Sequence, residues 1–128
     1  MILATGKEDK KMSKRISNYF ELKDACRSAG LWYVGSFMIE FFRRREQWEN
    51  EDTKADFIEY MYKQYDTDSD LSGTRTRVNA IIRIIESGYV KEALEMVINA
   101  DPFKLGCEQS RENAKYVLEK IDSGEIQL

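Results

Sequence analysis

Residues 73–98, GTRTRVNAIIRIIESGYVKEALEMVI, decide how this chain is read. Val78, Ile81, Ile82 and Ile85 fall on one side of a 3.6-residue spiral, and Ile84 widens the stripe. After a break at Gly88, Val90, Ala93, Leu94 and Val97 repeat the pattern. A half-buried strand would alternate apolar and polar residues, and no stretch keeps that alternation beyond a few positions. Two amphipathic helices, residues 73–87 and 89–100, are therefore expected as a tight hairpin around Gly88.

The same spacing extends in both directions. On the N-terminal side it predicts a helix over residues 18–29, with Ser17 as N-cap, Leu22, Ala25, Cys26 and Ala29 inward, and Gly30 as the stop. A more apolar helix follows over residues 35–48, with Phe37, Met38, Phe41, Phe42 and Trp48 across a broad face that suits the centre of the fold. The capping-box pattern TKAD, residues 53–56, opens a third that carries Phe57, Ile58, Met61, Tyr62 and Tyr65. Beyond the hairpin, Asp101 before Pro102 reads as the start of a short turn that ends at Gly106, and a last helix aligns Ser110, Ala114, Val117, Leu118 and Ile121. These segments define an all-α fold, a compact single-domain bundle of about six helices. Residues 16–128 form the domain and residues 1–15 a mobile charged segment.

Ala80, Gly88, Val90 and Ala93 are spaced as in one helical hairpin of the tetratricopeptide repeats, which this stretch resembles over roughly 25 residues. The resemblance implies a helix pair that stacks on neighbouring copies. Ile81 stands where that family places a small residue, the Asp101-Pro102 pair comes early, and no second copy follows. A generic helical hairpin explains the same residues.

Composition excludes several chemistries. The 128 residues contain no histidine, which removes Ser-His and Cys-His nucleophile activation and every His-containing zinc site. Phosphate-binding glycine loops and the GxSxG and HExxH patterns are absent from the sequence. Cys26 and Cys107 stand apart without a CxxC and read as small buried hydrophobes. The net charge of −3 arises from 20 basic and 23 acidic groups, so affinity for a polyanion needs a local patch. With no long apolar run, the chain is expected to be cytoplasmic, without membrane contact and without a cofactor.

The run YDTDSD, residues 65–70, imitates the start of a calcium loop. Counting from Asp66 puts Leu71 where the turn glycine belongs and Arg77 where the bidentate glutamate belongs, and counting from Asp68 puts Asn79 there. No metal site is expected; Asp66, Asp68 and Asp70 are at most weak surface ligands. They read instead as a solvated turn, with Ser72 capping the next helix.

Two features suggest binding. Arg43, Arg44 and Arg45 cluster near the end of the most apolar helix, and Arg75, Asn79 and Arg83 line one stripe of another. Trp32, Tyr33, Tyr60 and Tyr89 lie at helix starts or outside the main apolar stripes. The expected function is a non-enzymatic interaction module, a small regulatory or adaptor protein that binds another protein through an arginine- and aromatic-containing surface. The alternative is a nucleic-acid-binding protein that uses Arg43, Arg44, Arg75 and Arg83, although the acidic run before Arg75 opposes phosphate. An enzyme relying on Asp and Glu alone is the third reading, with Glu40, the one acid in SFMIEFF, expected to be solvated.

Overall fold

The computed structural model describes residues 15–128, so the expectation of a mobile segment over residues 1–15 falls outside it except for Arg15. Eight helices follow in order: α1 Tyr19–Ala29, α2 Leu31–Arg43, α3 Arg45–Glu49, α4 Glu51–Gln64, α5 Leu71–Glu86, α6 Val90–Ile98, α7 Pro102–Leu105 and α8 Glu108–Asp122. They form an all-α bundle around one apolar cluster. The count exceeds the expected one because the short turn at Pro102 closes a helical turn and the expected second helix is two helices.

That split accompanies the burial of Trp48 in the core. Arg44 leaves the helical region at φ −115°, ψ 27°, and a helix end strands its last carbonyls. The buried Trp48 indole turns back and donates to the Phe41 carbonyl at 2.7 Å. The split thus buries an indole and supplies its N–H with an acceptor in one step.

Several caps differ from the expected ones. Asn18, not Ser17, caps α1 by accepting from the Glu21 N–H, while the Glu21 carboxylate reaches back to the Ser17 N–H at 2.7 Å. Asn50 caps α4, which therefore begins ahead of the TKAD pattern, and Thr53 instead donates to the Gln47 carbonyl. Asp70, not Ser72, caps α5 through the Gly73 N–H. The capping residue lies one position after Ser17, three before Thr53 and two before Ser72, and in each case its backbone is extended, as an N-cap requires.

Helix α2 is the centre. It packs most extensively on α8 and also meets α1, α5 and α6. Gly35 makes the α8 contact close: a Cβ there would lie 2.5 Å from the Ser110 carbonyl oxygen and 2.8 Å from Val97 Cγ1. At the crossing the buried Ser110 hydroxyl donates to the Trp32 carbonyl at 2.8 Å and meets the Ser36 hydroxyl at 2.5 Å. Both polar groups are thereby satisfied inside the interface.

The hairpin connection is as tight as expected, with Gly88 at φ 82° and the Tyr89 N–H bonded to the Ile84 carbonyl. Its two helices nevertheless pack mainly elsewhere, α5 on α1 and α4, α6 on α8 and α2. Arg111 fixes the second arrangement from α8 by donating to the Ile98 and Ala100 carbonyls at the end of α6. Cys26 is a buried core residue whose thiol is pushed up to about 11 by burial. Cys107, expected to be buried, is only half-buried; hydrogen bonds from Ser110 at the start of α8 hold its thiol below the ordinary range.

Gly35→Ala is expected to destabilise the fold by about 1–3 kcal/mol, since backbone and a branched side chain must both retreat. Urea unfolding followed by far-ultraviolet circular dichroism measures this, and an unchanged midpoint would contradict the close crossing.

Candidate interaction surface

The end of α1 sets the geometry of the next element. Gly30 takes φ 88°, a conformation that side-chain-bearing residues resist, and α2 starts at once at Leu31. Because α2 begins four residues earlier than the periodicity suggests, Tyr33 falls on its inward stripe with Val34, Met38 and Phe41. Tyr33, expected on a binding surface, is fully buried, and its hydroxyl has no hydrogen-bond partner among the described residues. Burial first, and then the nearby Asp68 charge, push that phenol far above the ordinary tyrosine range.

Above Tyr33 the aromatic side chains continue as a half-buried strip. Phe37 packs on Tyr33 with centroids 4.7 Å apart and on Tyr65 at 4.4 Å, and it also meets the edge of Trp32 at 6.3 Å. Tyr65, at the end of α4, meets Tyr60 at 6.4 Å and 86°. Arg44 closes the strip: its Cζ lies 3.9 Å over the Tyr60 ring while its Nε donates to Glu40 Oε1 at 3.1 Å. Glu40, expected in solvent, is only 14% exposed and also pairs with Arg43 at 3.6 Å. Burial, followed by the Glu40 charge and the Tyr60 hydroxyl, pushes Tyr65 up to about 12.

The other end of the strip is closed by Arg77. Its Cζ sits 5.1 Å from the Trp32 ring and 5.5 Å from Tyr33, and its Nη1 donates to the Ala29 carbonyl at the end of α1 at 2.6 Å. Its Nε donates to Asp68 Oδ1 at 2.9 Å. The middle aspartate of the acidic run is therefore not a solvated turn residue: its side chain is 10% exposed and also accepts from Thr67 and Thr74. Gly73 makes the room, since a Cβ there would lie 3.1 Å from Asp68 Oδ1. Burial works against the Asp68 charge, but the hydrogen bonds from Arg77, Thr74 and Thr67 outweigh it and hold the carboxyl below the usual range. Asp66 stays exposed and Asp70 caps α5. Among the described residues no group of three acids or cysteines is placed to hold a metal ion.

The remaining candidates lie away from the strip or outside its ring contacts. Arg45 pairs with Glu49 at 3.6 Å, donates to the Gln127 carbonyl and covers Phe42 and Trp48. Arg75 is exposed on α5, and Asn79 and Arg83 line a groove with Trp48, Glu49, Glu51, Lys54, Ile82 and Glu86. Acids thus stand beside Arg43, Arg44 and Arg45 and in the groove of Arg83. Tyr89 is half-buried at the start of α6, without ring contacts among the described residues. Trp32, Tyr60 and Arg44 are brought together; Phe37, Tyr65, Glu40, Arg77 and Asp68 complete their surroundings. A signal for part of this set was present, because Tyr33, Phe37, Glu40 and Arg44 follow i, i+4, i+7, i+11 along one helical line.

No protein-family model, no curated protein and no solved structure matches this chain. No helix among the described residues is long and apolar enough to cross a membrane.

The three aspartates should separate in a melting experiment. Asp68→Asn is expected to cost about 2 kcal/mol, since charge-assisted hydrogen bonds are lost, Asp70→Ala about 1 kcal/mol as a lost cap, and Asp66→Ala less than about 0.5 kcal/mol. Because the folded Asp68 carboxyl titrates below its unfolded value, its contribution is full above about pH 5 and fades as pH falls through the folded value. The wild-type and Asp68→Asn melting curves should therefore converge in acid. In a spectrophotometric titration of the seven tyrosines, Tyr33 and Tyr65 should ionise last, leaving absorbance still rising above about pH 11.

Proposed function

We propose that the protein is a helical interaction module that binds another protein through the strip formed by Trp32, Phe37, Tyr65, Tyr60 and Arg44. The observation that carries this reading is the unbroken series of ring contacts ending in the Arg44–Tyr60 stack. Aromatic residues and arginine are the side chains that most often dominate the energy of protein interfaces. Their neighbours hold them in place beforehand: Glu40 fixes the Arg44 fork, and Arg77 with Asp68 fixes the turn behind Trp32. A surface already ordered loses little side-chain entropy on binding.

Electrostatics favours a protein over a nucleic acid. Arg43 and Arg44 share Glu40, and the Arg83 groove contains Glu49, Glu51 and Glu86, so phosphates would meet carboxylates beside each cluster. A partner presenting apolar side chains with a carboxylate for Arg44 fits these groups better.

The test is affinity capture with the full chain against the double variant Arg44→Ala/Tyr60→Ala, followed by calorimetry with the purified partner. A partner held by the wild type and bound at least about tenfold more weakly by the variant is the expected result. Capture that is equal for both proteins would reject the strip. Saturable DNA or RNA binding that weakens steeply with salt and disappears in Arg75→Glu/Arg83→Glu would instead support the nucleic-acid reading.

A further inference from the structure

Residues 1–14 precede the described part of the chain, and two contacts fix where they join it. Ile16 is nearly buried and its N–H donates to the Ser87 hydroxyl at 2.9 Å, while Arg15 Nη1 donates to the Glu86 carbonyl at 3.3 Å. The junction therefore lies against the C-terminal end of α5. Glu86 also lines the groove of Arg83, a space of about 310 Å³ between α5 and the junction of α3 with α4. Arg83 itself stands close to the same entry point: hydrogen bonds from Ser17, and then the Arg83 charge, hold the Glu21 carboxyl below its usual range.

The groove and the chain that enters beside it are complementary. Trp48 and Ile82, both nearly buried, give the groove its apolar ground, and Glu49, Glu51 and Glu86 are exposed along it. With Glu21 beside Arg83 and Arg45 beside Glu49, the four acids Glu21, Glu49, Glu51 and Glu86 meet the three cations Arg45, Lys54 and Arg83, so negative charge is in excess. Immediately before Arg15 the sequence reads KKMSK, residues 10–14: three lysines around one methionine, without an acid. Alternate side chains of an extended chain point the same way, which places Lys10, Met12 and Lys14 on one side. Length fits as well. From Asn79 to Glu86 the groove follows about 10 Å of helix, and five extended residues span about 16 Å.

We infer that residues 10–14 lie along this groove in the folded chain, with Lys14 at Glu86, Met12 over Trp48 and Ile82, and Lys10 at Glu49 and Glu51. The methionine thioether suits an indole face. The occupant is the chain's own segment because its anchor is already at the mouth of the groove: a tether this short gives an effective concentration in about the millimolar range, so contacts too weak to capture a free peptide suffice. Docking covers Asn79 and Arg83, which withdraws Arg83 from the accessible basic surface. The groove has no residue in common with the aromatic strip, which stays open.

Trypsin cleavage after Lys11 in the native full chain tests this inference, each rate being divided by that of a free peptide of residues 1–17 carrying the same segment substitutions. Cleavage of a docked segment follows the fraction of time it is released, so the wild-type ratio is expected at about one tenth or below. Glu49→Lys/Glu86→Lys on the groove, and separately Lys10→Glu/Lys14→Glu on the segment, should each bring the ratio close to one, and the chain carrying all four substitutions should recover protection. Glu49 and Glu86 are exposed, so the thermal melt followed by circular dichroism should show the groove variant folded; the segment variant leaves the described domain untouched. A wild-type chain cut as fast as the peptide, protection indifferent to the groove substitutions, or a fourfold variant that stays unprotected would each overturn the inference.

Discussion

The approach of α2 to α8 at Gly35 is the constraint on which the remaining arrangement rests. A glycine there lets the Ser110 backbone come nearer than any Cβ permits, and the Ser36 and Ser110 hydroxyls satisfy each other and the Trp32 carbonyl inside the contact. With one side of α2 committed to α8, the line through Phe37, Glu40 and Arg44 faces Tyr60 and Tyr65 of α4 and its C-terminal end. The aromatic strip follows from the packing of the central helix.

Arginine closes the architecture in several places. Arg77 ends α1, Arg111 ends α6, and Arg45 holds the Gln127 carbonyl. Each brings a planar array of donors to carbonyls at or beyond a helix end, an arrangement that the single ammonium of lysine reproduces poorly. The cost of burying such a charge is offset where a carboxylate stands beside it, as Asp68 does for Arg77 and Glu108 for Arg111. Much of the basic character of the sequence is spent in this way on the fold, and Arg44 and Arg77 stack on the two ends of the half-buried strip.

The acidic run illustrates how one composition serves several purposes. Asp66, Asp68 and Asp70 look alike in sequence, yet one remains in solvent, one braces the junction of α1, α2 and α5, and one caps a helix. What separates them is the partner each meets: Arg77 and two threonine hydroxyls for Asp68, and the Gly73 N–H for Asp70.

The sequence by itself determined the helical class, the inward stripes of α1, α5, α6 and α8, the central role of the apolar helix and the stop at Gly88, because a 3.6-residue period and glycine conformations are local properties. It was silent on which helices would pair, so α5 and α6 were legible as neighbours in the chain but not as helices packed chiefly on others. The break at Arg44, the burial of Tyr33 and Asp68, and the exposure of Phe103 were decided only by tertiary structure. Each depends on a group distant in sequence or on the space another helix leaves: the core that takes in the Trp48 ring, the Ala29 carbonyl that anchors Arg77, and the α7 corner that turns Phe103 outward. Local periodicity records which face of a helix is apolar, and long-range packing decides what covers it.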